Sequence, residues 1–306
     1  MMQYNDLIKH NLSVLVKKYK KTDVFKTRAY SKALMELPNT PICSIEDVEN
    51  VGGAKIQLKL KYLLENNKNL EEVDEYLVND TYAIIDTLQT IHGIGPAKAK
   101  DLYDNHNIRS IEDLRNKPDL LNNIQHIGLN FFEHIIKTIP YKEMQKHEDL
   151  LRRYLSNFDF TIAGSYRRKA PQSSDIDILL TGATNQINDL IDILKQKKYI
   201  DSDNVLAHGG VKFMGLCKLP KHKTYRRIDI LYTPPHEYPF ALLYFTGNFK
   251  FNVDMRRHAS SMGLSLNEQS LTYLANKQPV NHNFETEKDI FDYLNYSYVE
   301  PEYRSI

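Results

Sequence analysis

Over roughly the first 150 residues, apolar positions recur at intervals of three and four. In DLIKHNLSVLVKKY, residues Leu7, Leu12, Leu15 and Val16 share one side of a 3.6-residue repeat, and AKIQLKLKYLLE continues the pattern; both predict amphipathic helices. Ser44 with Asp47, and Ser110 with Asp113, are Ser-x-x-acid pairs that predict helix starts, because a hydroxyl and a carboxylate satisfy amides left unpaired in a first turn. From about residue 158 the period shortens. FTIAG, DIDILLTG, VKFMGLCKL and YRRIDILYT read as short strands, with NDLIDILKQKK helical between them. A helical half followed by a strand-rich half predicts the α+β class, and 306 residues are enough for more than one core.

Composition narrows the class. Cys43 and Cys217 lie far apart without metal-ligand spacing, which argues for a reducing intracellular setting and against a disulfide framework or a zinc site. No apolar run is long enough for a signal peptide or a membrane span, so a soluble protein without a membrane partner is expected. The formal net charge of +1 hides an uneven distribution: residues 1–64 hold 11 Lys/Arg against 6 Asp/Glu, and an acidic ENNKNLEEVDE follows. A basic N-terminal segment is an electrostatic footprint for a polyanion.

Two turns resemble each other, NVGGAKIQLKL and HGIGPAKAKDLY, each placing glycine before a Lys-bearing helix. Such a turn leaves helix N-terminal amides open to a phosphate and lets the backbone approach closely. Both resemble helix-hairpin-helix motifs, which grip DNA backbone without reading sequence; Val51-Gly52-Gly53 in the first departs from the Gly-x-Gly of the second.

The stretch GSYRRKAPQSSDIDILL, residues 164–180, carries the chemistry. On a strand, Ile176, Ile178 and Leu180 face one side, while Asp175 and Asp177 project from the other. Two such close carboxylates repel unless a cation lies between them, and all-oxygen ligation favours Mg²⁺ or Mn²⁺. Asp229, between Ile228 and Ile230 in RRIDILYT, offers a third ligand if the two strands pair. Three aspartates then hold two ions, an arrangement suited to phosphoryl displacement. Gly164, Ser165, Arg168, Ser173 and Ser174 add donors for phosphate oxygens beside the cation ligands, which together describe a site for a metal triphosphate.

Gly164-Ser165, Arg167-Arg168, Asp175-x-Asp177, VKFMGLCKLP, RRIDI, YFTG, TGNFKFNVDMRRHASSMGLSLNE and EKDIFDYLNYSYVEPEYRS resemble, in order and over nearly the whole chain, the family X DNA polymerases, with the polymerase beta type nearest. The resemblance implies a helical lyase-like domain over 1–76, a helix-hairpin-helix thumb over 77–137, a nucleotidyltransferase palm with a mixed sheet over 138–235, and a small α+β nucleotide-selection subdomain over 236–306, with no room for a BRCT domain. It implies Asp175, Asp177 and Asp229 as ligands of two Mg²⁺ ions, replaceable by Mn²⁺, with Asp229 activating the primer 3′-hydroxyl. Gly164, Ser165, Arg168, Ser173 and Ser174 then hold the dNTP phosphates, Tyr244, Phe245 and Gly247 line the sugar pocket, Asn252 meets the base and Arg256 the template. DNA contacts implied are Lys26, Tyr30, Gly53, Lys55, Gly93, Gly95, Ala97, Lys98 and Arg227, with monovalent cations at the hairpin turns. Lys59 matches the Schiff-base lysine of a 5′-deoxyribose phosphate lyase, and Lys26, Lys55 and Lys61 nearby are expected to depress its basicity by like-charge repulsion.

Several positions depart from the polymerase beta type. Leu231 replaces an arginine able to engage the second aspartate, Phe249 a small or acidic residue, Phe25 a histidine, Leu58 an acid, and Ser174 a frequent glycine. The short segment from Pro220 to Tyr225 leaves no loop for template-free extension. The expected protein is a monomeric, template-directed polymerase acting on gapped or nicked DNA with dNTP in a DNA-repair compartment. A template-independent transferase on the same core, opposed by the hairpins and YFTG, and a DNA-end-binding scaffold, opposed by the three aspartates, are the alternatives.

Overall fold

The computed structural model describes residues 3–20, 23–38, 40–78 and 80–305. The chain forms two compact units, Met1–Gln125 and His126–Ile306. The division falls inside the segment expected as a thumb.

The first unit is helical: α1 (Asn5–Tyr19), α2 (Val24–Glu36), α3 (Ala54–Asn66), α4 (Glu71–Val78), α5 (Asp80–Gln89), α6 (Pro96–His106) and α7 (Ile111–Arg115), with α8 (Asn123–Asn130) beginning at its end. Ile8, Leu12, Leu15, Leu60, Leu63 and Val73 are fully enclosed in its N-terminal core. The buried stripe of α1 runs through Ile8, Asn11, Leu12 and Leu15, while Leu7 and Val16 are only half-buried. Asn11 shifts the stripe by one position because its amide is consumed internally: Nδ2 donates to the Asn69 Oδ1 at 2.9 Å, and Oδ1 accepts from the Leu70 amide at 2.9 Å. One buried amide thus fixes the α3–α4 turn.

Caps set the helix ends. Ser110 accepts from the Asp113 amide and starts α7 as expected. The Ser44 and Asp47 pair instead closes a single 3₁₀ turn, with Asp47 Oδ2 accepting from the Cys43 and Ser44 amides. The two hairpin helices are built alike: α3 starts from Gly53 and ends at a left-handed Asn67, and α6 starts from Gly95 and ends at a left-handed Asn107. They differ before the cap, where the positive φ falls on Gly52 in the first and on Gly93, two residues ahead, in the second. The Gly-Gly departure is therefore a different turn.

The second unit contains α9 (Phe132–Ile135), β1 (Ile139–Pro140), α10 (Tyr141–Tyr154), β2 (Asp159–Ile162), α11 (Gly164–Arg167), β3 (Gln172–Ser173), β4 (Ile176–Thr181), α12 (Ile187–Gln196), β5 (Ile200–His208), β6 (Lys212–Cys217) and β7 (Arg226–Tyr232). After them come α13 (Tyr238–Thr246), α14 (Phe249–Ser261), β8 (Leu264–Leu266), β9 (Leu271–Tyr273) and α15 (Glu287–Tyr293). The main sheet has the order β2-β4-β7-β6-β5; β4 and β7 run parallel and the other neighbours antiparallel. Ile176, Ile178, Ile228 and Ile230 pack with Leu150 and Leu151 of α10 and Leu190, Ile191 and Leu194 of α12 in one core. A second core joins α13, α14, α15 and the β8–β9 hairpin. The α+β class is the one the sequence pattern predicts.

Two buried polar clusters sit in this unit. Arg226 grips Glu143 with two hydrogen bonds of 2.8 Å, and beside them His147 Nδ1 lies 2.7 Å from the Tyr199 hydroxyl. Elsewhere Glu287 joins two arginines, accepting from Arg304 at 2.7 Å and Arg167 at 2.6 Å.

Candidate active site

The alternating Ile-Asp-Ile pattern of two strands becomes a site through their register. Parallel pairing sets Ile176 opposite Ile228, Asp177 opposite Asp229 and Ile178 opposite Ile230. The isoleucines fill the core and the carboxylates emerge together on the other face. Asp175 joins them from the residue before β4, and ligand oxygens of all three lie within 4.8 Å of one another. Burial, reinforced by Asp229, pushes the Asp177 carboxyl up to about 6, against the opposing charges of Arg168 and Lys212.

These residues fit a hard divalent cation. Every donor is a carboxylate oxygen. A cation already rests among them, because the Arg227 guanidinium contacts Asp175 and its Nε lies 3.4 Å from Asp229. Arg227, expected on DNA, is thus placed on the carboxylates. The backbone also makes room: a Cβ on Gly164 would stand 2.3 Å from Asp177 Oδ2.

Anion donors line the adjoining side. Gly164 opens the short α11 with φ +60, and Ser165 donates to the buried Ser173 hydroxyl at 2.9 Å, whereas Ser174 is exposed. Arg168 donates to the Thr246 carbonyl at 2.6 Å and to Ser305 at 3.1 Å. This docks the arginine on the turn that carries Gly247, whose peptide bond to Asn248 is cis. Arg167, held by Thr246 Oγ1 and Glu287, braces the same turn. The sequence offered no sign of this brace, since Glu287 lies 120 residues from Arg167.

Asn252 donates to the Tyr244 carbonyl at 2.7 Å, and Arg256 lies 4.9 Å over the Tyr244 ring while reaching Glu268 at 3.3 Å. Phe245, Leu231, Lys212 and Ala163 enclose with Asp177 and Asp229 a cavity of about 80 Å³. Leu231 therefore leaves apolar space where an arginine would reach the aspartates. Phe249 stands exposed at the start of α14.

A separate cluster surrounds Lys59 in the first unit. Its ammonium pairs with Glu72 of α4, which also accepts from the Tyr19 hydroxyl at 2.8 Å. The nearest charge on Lys59 is thus a carboxylate, not the lysines expected to repel it; Lys61 pairs with Glu65 at 3.7 Å and Lys26 with Asp23 at 3.9 Å. Burial works to raise the Glu72 pKa, and the hydrogen bonds from Lys59 and Tyr19 outweigh it, leaving a net lowering. Tyr30, expected at DNA, is buried and stacks on Tyr19 at 5.9 Å; burial pushes its hydroxyl up to about 12. Phe25 and Leu58 are exposed, at 83% and 70%. Among the hairpin residues, Gly53, Lys55, Gly93, Gly95 and Ala97 are exposed, and Lys98 pairs with Asp101 at 3.2 Å. Among the described residues no helix is long and apolar enough to cross a membrane.

Comparison with known proteins agrees with this layout. Residues 86–136 match the fingers domain of DNA polymerase lambda, 138–235 the DNA polymerase beta palm and 241–305 the DNA polymerase beta thumb. Those descriptions give the name fingers to the helical module expected as a thumb, and the name thumb to the C-terminal module expected as a nucleotide-selection subdomain. DNA polymerase lambda of Rattus norvegicus is 30% identical over 97% of this chain and 56% of its own length. DNA polymerase lambda of Arabidopsis thaliana is 27% identical over 91% of this chain and 58% of its own. The type-X family DNA polymerase of Schizosaccharomyces pombe is 27% identical over 92% and 60%. The chain thus spans 56–60% of the length of these relatives. With three consecutive modules in one order and relatives matched along nine tenths or more of its length, this chain belongs to the family X DNA polymerases.

Proposed function

We propose that the chain is a template-directed DNA polymerase that fills short gaps, transferring a nucleotidyl group from dNTP to a primer 3′-hydroxyl. The observation that carries this reading is the convergence of Asp175, Asp177 and Asp229 beside the Ser165, Ser173 and Arg168 donors. Asp175 and Asp177 hold two divalent ions, Mg²⁺ or in its place Mn²⁺, and Asp229 completes the ligand set. The pair supplies charge neutralisation for the attacking and leaving oxygens. Asp229 accepts the hydroxyl proton. Gly164, Ser165, Arg168, Ser173 and Ser174 orient the triphosphate so that pyrophosphate departs in line. Tyr244, Phe245 and Gly247 border the sugar, and Asn252 and Arg256 reach the base and template on leaving their present partners.

Gapped or nicked DNA is held through its phosphates by the exposed hairpin turns at Gly53 and Gly95, with monovalent cations there, and by Lys26, Lys55 and Lys98. Binding then weakens steeply with salt. A monomer in a DNA-repair compartment suits this work. Lys59 gives the chain a second activity, excision of a 5′-deoxyribose phosphate through a Schiff base. Extension of a primer across a one-nucleotide gap with Mg²⁺ tests the first activity. Wild type should extend and Asp229→Ala should not; equal extension refutes the ligand assignment, and extension without template favours a template-free transferase. Borohydride capture on abasic-site DNA, lost in Lys59→Ala, tests the second.

A further inference from the structure

The carboxylate on Lys59 asks for a reason. Glu72 is held there by more than its own side chain: Asn11 fixes the preceding turn through Asn69 and Leu70, and Lys18 donates to the Glu72 carbonyl at 2.8 Å. Its two oxygens have separate partners, Oε1 the Lys59 ammonium and Oε2 the Tyr19 hydroxyl. The Tyr19 ring is fixed by stacking on Tyr30 and carries the Lys26 ammonium 4.2 Å from its centroid. Side-chain exposures of 26% for Lys59 and 23% for Glu72 leave the pair shielded yet reachable.

Stability is a weak reason for this arrangement, since a solvent-accessible ion pair contributes only about 0–1 kcal/mol. Binding is a worse one, because a carboxylate beside Lys18 and Lys26 repels the phosphates those lysines attract. Chemistry remains. Leu58, the exposed neighbour of Lys59, carries no base. Other carboxylates of this unit are engaged away from Lys59: Asp23 caps α2, Glu36 accepts from the Gly52 amide and Glu65 pairs with Lys61.

We propose that Glu72 is the general base of the lyase reaction, removing the C2′ proton of the sugar that Lys59 captures. The proposal rests on the lyase reading of Lys59. Lys59, its proton released to solvent, attacks C1′ of the sugar aldehyde. The C–N bond forms, and the carbonyl oxygen leaves as water with one proton from nitrogen and one from solvent, giving an iminium. C2′ lies two bonds beyond the lysine nitrogen, so a carboxylate in contact with that nitrogen lies beside the C2′ proton. Glu72 takes this proton, the C–H electron pair forms the C2′=C3′ bond, and the C3′–O bond breaks with its pair on the DNA 5′-phosphate. Water then hydrolyses the imine, freeing Lys59 and the unsaturated sugar phosphate, and Glu72 returns its proton to solvent. Tyr19 is a positioning residue that holds the second carboxylate oxygen.

The test uses the full chain, wild type and with Glu72→Gln, Glu72→Asp or Lys59→Ala, on nicked DNA bearing a 5′-deoxyribose phosphate. Borohydride capture reads iminium formation, and single-turnover release of the sugar reads elimination. Glutamine keeps an acceptor oxygen for Lys59, and its amide nitrogen can donate to the Tyr19 hydroxyl, so Glu72→Gln should be captured as well as wild type while eliminating about 100-fold more slowly, in the range of general-base contributions. Glu72→Asp should recover part of the rate. Elimination by Glu72→Gln at or above the wild-type rate would overturn the proposal, making the pair a brace or a latch. So would capture and elimination falling together. If wild type forms no Lys59-dependent adduct, the lyase reading fails, and the role of Glu72 with it.

Discussion

Replacing Gly164 by alanine should disable the proposed polymerase site by a route that can be followed atom by atom. Gly164 has φ +60, a conformation costing about 1–2 kcal/mol for an L-residue with a side chain. Its added Cβ would meet Asp177 Oδ2 at 2.3 Å, where ordinary contact begins at 3.4 Å, so the carboxylate must retreat by about 1 Å. The Asp177 backbone cannot follow, because β4 is paired on both sides, to β2 and to β7. The side chain must rotate out of its place among the carboxylates, at a cost typical of overpacking, about 1–3 kcal/mol. A total near 3 kcal/mol should lower the melting temperature of the second unit by about 10 °C. Displacing a catalytic carboxylate by about 1 Å should slow single-turnover gap filling about 100-fold. The rate is measured well below the lowered melting point, so that unfolding does not contribute. A wild-type rate with an unchanged melting point would refute the argument, since Asp177 would then have freedom that the pairing denies it.

Other expectations are equally direct. A Cβ on Gly95 meets nothing within 4 Å, so Gly95→Ala should leave thermal melting unchanged while weakening binding to gapped DNA several-fold in a fluorescence titration; unchanged affinity would remove this turn from the DNA interface. Burial, resisted by Glu143, depresses His147 from 6.5 to about 4. Its stabilisation is therefore present above pH 6.5 and lost as pH falls toward 4, by up to about 3 kcal/mol. Urea unfolding across that window should slope in wild type and flatten in His147→Gln, which keeps a partner for Tyr199. Arg227→Met removes the guanidinium resting on Asp175 and Asp229, so Mn²⁺ affinity of the free protein should rise about 10-fold by calorimetry; weaker binding would mean that Arg227 organises the carboxylates instead of competing for them.

The aspartates were legible because alternation is local: isoleucine on either side of an acid names the buried and the open face. The strand register was not, since it depends on partners about 50 residues apart. β5 escaped for a related reason, its pairing with β6 being broken by register shifts between Ile200 and Ala207, so alternation fades. Asn11 hid in the open, a polar residue whose buried amide is paid back across 58 positions. Glu72 left a faint local signal, an acid in the first turn of a helix, but nothing in its neighbourhood points to Lys59. Glu287 with its two arginines left none, because all of its meaning lies in contacts with distant segments.

The parallel pairing of β4 with β7 has a consequence for tolerance to change. Because the register is enforced by interlocked isoleucines, the segment between the two strands, with α12, β5 and β6, acts as a detour whose length does not enter the spacing of the carboxylates. Insertions in its exposed turns should be absorbed without moving the ion ligands. A slip of a single residue along β7 would turn Asp229 into the apolar interior and an isoleucine out onto the carboxylate face, so misregistered pairing is self-rejecting. The same hydrophobic contacts that hold the sheet together therefore proofread the assembly of its reactive centre.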